Sequence, residues 1–228
     1  NIRDVPRGDD EPSRDKVVRR TGDGLVLTAD LAIIKNFIAD AVFAVYPFTP
    51  QQSISDAIIK ASSIPVFCGC GGGTTHGVRT VSLARDVECQ GAMAVVLNAP
   101  ISNVNLKAVA MSVDIPVVIT VVSSETNIPE RVASGAAIVN VAGGKDNAAL
   151  VRRIREKNPD VPIIATGGRT NESVHDTIVA GANAITYTPP STAELFSTMM
   201  TQYRDDSSQP QQRDYNVSQI LRAVGALR

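Results

Sequence analysis

The stretch Phe67–Gly77, FCGCGGGTTHG, gathers the residue types most able to do chemistry in this chain. Gly71, Gly72 and Gly73 in succession can present consecutive backbone N–H groups as an anion nest, with the hydroxyls of Thr74 and Thr75 beside them. Ordering so glycine-rich a loop is entropically unfavourable, which a wrapped ligand would offset. His76 is one of only two histidines, the side-chain type whose ordinary proton affinity suits acid–base work near neutral pH, and is the best single candidate for a general acid or base. An exposed loop histidine is the plain alternative. Cys68 would be a nucleophile if its thiol were acidified and His76 lay within reach; otherwise it is a buried core thiol. Cys70, more exposed by strand register, faces the same two readings. Cys89 falls before the next strand, at the wrong end.

Further candidates recur at the ends of apolar runs. Asn98 and Asn140 each close such a run, where an amide can orient a carbonyl or hydroxyl through its paired donor and acceptor. Tyr46 and Thr120 belong to the same set of strand-end ligand contacts. Lys145 follows Gly143-Gly144 in a loop and can bind an anion. Gly167-Gly168-Arg169 follows another run, letting the backbone approach a phosphate-sized group near a helix N-terminus. Asp30, Glu125 and Asp146 lie in loops or first helical turns, where acids favour the helix dipole. No HExxH, DxD or close histidine pair appears, so no metal is expected. No cofactor is expected either. The glycine pattern resembles a dinucleotide fingerprint only superficially, because Glu88 precedes the next strand instead of ending it.

The elements that must position these residues form a repeat. Eight short apolar runs occur: 24–28, 41–46, 64–69, 92–98, 115–122, 136–141, 161–167 and 183–188. Near-continuous apolar runs of this length suit parallel strands covered on both faces. Between them, segments such as SISDAIIKASS and NAALVRRIREK space apolar residues as amphipathic helices do, with Ser53, Asn147 and Asn171 placed as N-caps. Runs three, five and seven open at Pro65, Pro116 and Pro162, and proline at a strand's first residue loses no essential ladder bond. Runs four, six and eight follow Gly91-Ala92, Gly135-Ala136 and Gly181-Ala182, with glycine closing the preceding helix. The unit is β-α-β-α repeated about four times. It predicts a compact (β/α)8 TIM barrel over 24–204, an open doubly wound sheet being the alternative. Residues 1–23 read as a charged N-terminal arm, and 205–228 as a linker plus a short amphipathic C-terminal helix. That helix is too short to be stable alone, so it is expected to dock and a homo-oligomer is expected.

Bulk composition narrows the classes. The 228 residues carry a net charge of -1, which gives no reason to expect nucleic acid or an anionic membrane as a partner. No apolar run reaches a bilayer span. Three cysteines without a disulfide or zinc pattern indicate a reducing, cytoplasmic setting.

ATGGRT, followed by a helix and AGANAI, resembles the seventh and eighth strands of ribulose-phosphate-binding barrels and of class I aldolases related to deoxyribose-phosphate aldolase. The resemblance implies a substrate phosphate between the loops after strands seven and eight. Those families complete the phosphate cup with a glycine-bearing loop; this chain has Tyr187-Thr188-Pro189-Pro190-Ser191. Prolines donate no N–H, so the hydroxyls of Thr188 and Ser191 would substitute. A Schiff-base lysine projects from a strand in such aldolases, whereas no strand run here contains lysine. The chain also resembles a little-characterised set of bacterial barrels loosely called hydrolases. Three functions stay open: a lyase or isomerase acting on a small phosphorylated or carboxylated metabolite, a hydrolase using Cys68, Cys70 or a His76-activated water, and a non-catalytic ligand sensor. Fold alone cannot choose among them.

Overall fold

The computed structural model describes residues 24–167 and 170–206. The expected N-terminal arm, Gly168, Arg169, and the terminal helix with most of its linker lie outside the described residues. The chain forms two compact units divided between Pro189 and Pro190. The first contains eight strands: β1 (Gly24–Leu27), β2 (Ala41–Ala44), β3 (Val66–Gly71), β4 (Ala94–Leu97), β5 (Val117–Val121), β6 (Ile138–Val141), β7 (Ile163–Thr166) and β8 (Ala184–Tyr187). All pair in parallel and β8 closes on β1, so the sheet is a barrel and not an open one. Helices α1 (Leu31–Asn36), α2 (Gln52–Ala61), α3 (Val78–Gln90), α4 (Asn103–Ala110), α5 (Ile128–Ala133), α6 (Asn147–Lys157) and α7 (Asn171–Val179) alternate with the strands. The second unit contains α8 (Thr192–Asp206).

The repeat has a hydrogen-bond basis. The carbonyls of Pro65, Pro116 and Pro162 accept from Val42, Val95 and Val139 at 2.8, 3.0 and 2.9 Å. Each proline therefore closes the ladder to the preceding strand through its oxygen, and its missing N–H leaves nothing unpaired. Gly91, Gly135 and Gly181 sit at φ 99°, 106° and 109° where α3, α5 and α7 end, a left-handed turn that disfavours any Cβ. Two residues beyond each, Met93, Ala137 and Asn183 donate at 2.8 to 2.9 Å to the first residue of β3, β5 and β7.

The helix starts differ from the expected caps. Thr170 caps α7 with a Ser173 capping box, and Gln51 and Asp146 precede α2 and α6. Asn147 and Asn171 are instead the first helical residues. The Asn147 side chain bridges two loops, accepting from Gly143 N and donating to the Thr166 carbonyl.

Alternate strand residues fill the barrel. Leu25, Phe67, Val118 and Ile164 from the odd strands lie above Ala41, Ala94, Ile138 and Ala184 from the even ones, within one hydrophobic cluster. The aromatic rings of Phe43 and Phe67 meet with centroids 6.2 Å apart. Following the pairing register around the barrel, the next layer is Phe43, Val96, Asn140 and Thr186, and the one above it Leu27, Gly69, Thr120 and Thr166. Layers of four from alternate strands are the usual filling of this barrel. Here they change from apolar to polar on rising toward the C-terminal strand ends.

Candidate active site at the barrel mouth

The polar layers are joined by a chain of hydrogen bonds. Asn140 Nδ2 donates to Thr120 Oγ1 at 3.2 Å, and Thr120 Oγ1 in turn to Asn98 Oδ1 at 3.4 Å. Strand geometry creates this chain, since Thr120 and Asn140 are direct register partners on β5 and β6. Two atoms below it are unsatisfied. Asn140 Oδ1 and Thr186 Oγ1 are buried without a hydrogen-bond partner among the described residues, on side chains only 5% and 1% exposed. An unpaired buried polar atom costs about 1–3 kcal/mol. Thr186 was not among the expected site residues; counting inward by two from Ala184 along β8 would have found it.

Thr120, one layer higher, lines a cleft of about 540 Å³ whose walls also include Tyr46, Gly69, Gly71 and Asn98; Asn140 and Thr186 do not line it. Gly72, Gly73, Thr74 and Thr75 also border it. In its layer Gly69 alone contributes no side chain; a Cβ there would lie 3.2 Å from the Ala44 carbonyl oxygen and 3.4 Å from Val45 Cγ2. The structure thus gathers Tyr46, the glycine loop, Asn98 and Thr120 in one concavity. Tyr46 Oη accepts from Gln51 N at 3.0 Å and so also fixes the start of α2.

The glycine loop itself is not an open nest. Gly72 N donates to the Thr75 carbonyl at 2.8 Å, Gly73 N to that of Pro100 at 3.0 Å, and Thr75 N to that of Gly72 at 3.4 Å. The glycines serve close packing. At Gly72, with φ 92°, a Cβ would lie 1.9 Å from the Asn98 carbonyl oxygen. Thr75 is buried, its carbonyl also accepting from Thr80 Oγ1. His76 is exposed and lines none of the clefts described here.

Both candidate thiols are turned away from the mouth. Cys68 and Cys70 alternate with the inward Phe67 and Gly69, and are 1% and 0% exposed. The expected exposure of Cys70 is therefore corrected: it lies where the β3–β4 register shifts between Gly69 and Gly71, and its Sγ donates to the Cys68 carbonyl. Desolvation pushes the Cys68 thiol up to about 12 and raises Cys70 further, the neighbouring Cys68 adding to the shift. A nucleophile needs the opposite shift, so neither thiol is suited to attack a substrate. Cys89 is exposed.

A second cleft of about 560 Å³ is lined by Lys145, Thr166, Gly167, Thr170 and Ser173, among others. Lys145 is exposed in the short 3-10 turn Gly144–Asp146. Gly167 N donates to the Thr186 carbonyl at 2.7 Å and is closed to a ligand. Thr188 is exposed. In the second unit Ser191 caps α8, its N and Oγ both pairing with Glu194 Oε2 at 2.7 and 2.8 Å. Asp30 caps α1 through its own carboxylate, which accepts from Ala32 N and Ile33 N. Among the described residues no three His, Cys, Asp or Glu side chains converge on a metal position, and no helix is long and apolar enough to cross a membrane.

No protein-family model matches the sequence, and no curated protein does. Solved structures do match. One is 2,3-dimethylmalate lyase, a PEP mutase/isocitrate lyase superfamily member, at TM-score 0.62 and 12% identity, covering 86% of this chain and 86% of that one. Phosphonopyruvate hydrolase matches at TM-score 0.62 and 13% identity, over 90% of both chains. Dihydrodipicolinate synthase from Bacillus anthracis matches at TM-score 0.59 and 16% identity, over 84% of this chain and 78% of that one. At such identities the likeness is one of fold. It sets the chain among (β/α)8 barrels without singling out the ribulose-phosphate-binding family.

Proposed function

We propose that this barrel is an enzyme that binds a small anionic metabolite, phosphorylated or carboxylated, at its C-terminal mouth and acts on it by lyase- or isomerase-type proton transfer. The observation that carries this reading is the pair of unpartnered buried atoms, Asn140 Oδ1 and Thr186 Oγ1, one layer below Thr120, which itself lines the open cleft. Polar groups left unpaired just above the apolar layers of the barrel weaken the fold, and a ligand that completes them gives a reason for their presence. Asn98, Thr120 and Asn140 would orient the substrate, and Lys145 would supply positive charge at the rim. His76, directly after the cleft residue Thr75 and open to solvent, would exchange the proton. The names of the structural neighbours, a lyase of dimethylmalate and a hydrolase of phosphonopyruvate, support a substrate of this size and charge.

A non-catalytic sensor is the second reading, and one observation favours it. The polar layers, with Asn140, Thr186, Thr120 and Thr166, contain no ionisable side chain. Thermal-shift screening of small carboxylates and phosphates, followed by turnover assays of the binders, tests both. The enzyme reading expects stabilisation of roughly 2.7 kcal/mol at a hundredfold excess over Kd, and turnover that His76→Ala reduces by about 10²-fold or more. Binding without turnover would establish the sensor. Absence of binding by any anion would refute both.

A further inference from the structure

The mouth cleft has an apolar side that proton transfer does not use. Leu27 and Val45 line it where they pack on the hydrophobic cluster that fills the barrel. Pro47, Phe48 and Pro50, in the loop from β2 to α2, and Val122, just beyond β5, line it further out. Phe48 is 74% exposed and Val122 56%, so both present apolar surface to water at the edge of a concavity. The loop that carries Phe48 is braced. Proline fixes φ, and Pro47 and Pro50 lie on either side of the phenylalanine. Tyr46 Oη accepts from Gln51 N at 3.0 Å, joining the two ends of the loop. A loop held in this way gives up little freedom when a ligand settles on it.

The same cleft is poorly equipped for charge. Among the described residues that line it, none is Asp, Glu, Lys, Arg or His. The N–H groups of Gly72, Gly73 and Thr75 already serve the carbonyls of Thr75, Pro100 and Gly72, so no two adjacent N–H groups of residues 72–75 stay open to an anion. A carboxylate or phosphate drawn in among Phe48, the prolines and Val122 would give up its water without meeting a counter-charge. An alkyl or aryl group gains by covering the same side chains.

We propose that the cleft takes an uncharged, apolar substituent of the substrate, an alkyl chain or aromatic ring lying against Phe48 and Val122, while the anionic group stays at the solvent edge. This rests on the ligand site proposed above and deepens it: the substrate is an anion with an apolar body, and Phe48 is the residue that selects it.

Two series that lengthen the apolar part at constant charge test this: acetate, butanoate and hexanoate, and methyl, butyl and hexyl phosphate. Calorimetric titration of the full chain should show affinity rising about fourfold per methylene in at least one series. Phenylacetate against hexanoate then tells ring from chain, the tighter binder naming the substituent. Phe48→Ser should flatten the rise, hexanoate losing about tenfold or more and acetate less than about twofold; Val122→Ser should flatten it by a smaller factor. Both residues are exposed, so neither substitution opens a hole in the core, and an unchanged urea midpoint checks this. Equal affinity along both series would overturn the proposal and leave an anion site standing. A rise that both variants preserve would overturn it too, placing the apolar part elsewhere on the molecule. No binding by any member would remove the anion site and the proposal together.

Discussion

Asn183 and Asn140 are both 5% exposed, and they sit at opposite ends of the barrel in opposite states. Asn183, just before β8, accepts at its Oδ1 from Ile163 N at 2.9 Å and from Arg155 Nη2 at 2.8 Å. Arg155, on α6, also donates to the carbonyls of Gly181, Pro159 and Val161, tying the entrances of β7 and β8 together. Burial of the Arg155 guanidinium lowers its proton affinity, against which Asp160 acts. At the other end Asn140 donates once, and its oxygen is unpaired among the described residues. The two amides have the same chemistry and burial. The N-terminal face is built for stability and the C-terminal face retains unsatisfied groups, the division of labour expected of this fold.

The sharpest way to break the comparison is at the clamp. Arg155→Ala should lower the unfolding free energy by about 3 kcal/mol, because several buried acceptors lose their donor at once; urea denaturation measures it. Gly72→Ala comes next, at about 2 kcal/mol or more, since its Cβ would overlap the Asn98 carbonyl at a left-handed φ. Such a loss would show that the backbone at the mouth is as closely packed as the clamp, and only its side chains are unpaired. Asn183→Leu and Asn140→Leu then sharpen the contrast directly. The first should destabilise by about 2 kcal/mol and the second by less than about 1 kcal/mol, as the first breaks two bonds to Asn183 Oδ1 and the second only the one from Asn140 Nδ2 to Thr120 while removing an unpaired oxygen. Equal losses would abolish the distinction.

The thiols act only at alkaline pH. Cys68 keeps its proton in the fold up to about 12, against 9.0 for an ordinary thiol, because burial desolvates it. Above pH 9 the unfolded chain releases that proton and the folded chain does not, so stability is full below pH 9 and declines between 9 and 12. The slope approaches about 1.4 kcal/mol per pH unit for each such thiol. Cys68→Ala should flatten its share of that decline. Below pH 9, alkylation of the native protein should modify Cys89 alone of the three, as mass spectrometry would read.

Much of this architecture was legible because it repeats. Pro65, Pro116 and Pro162 announced three strands, and Gly91, Gly135 and Gly181 the helix ends before three others, each through a backbone constraint that a single residue imposes. The mouth was half legible. Asn98 and Asn140 stood out as polar residues at the ends of apolar runs, and Thr120 as the polar residue inside another. Thr186 did not, because Thr188 marks the polar end of the run, whereas the inward position of Thr186 follows only from the alternation that begins at Ala184. Cys70 was misread for a related reason: a strand covered on both faces shows no polar alternation to set its register, and a bulge shifts it there. The glycine loop misled because glycine's two uses, freeing donors for a ligand and allowing backbones to touch, look identical until the acceptor carbonyls of Thr75 and Pro100 are located.

One small bridge has a dynamic consequence. Asn147 accepts from Gly143 N and donates to the Thr166 carbonyl, lacing the loop after β6 to the end of β7. These two segments must therefore fluctuate together, and deuterium uptake at Gly143 should track that of the β7 terminus. Cutting the lace with Asn147→Ala would let the lysine-bearing turn open independently of its neighbour.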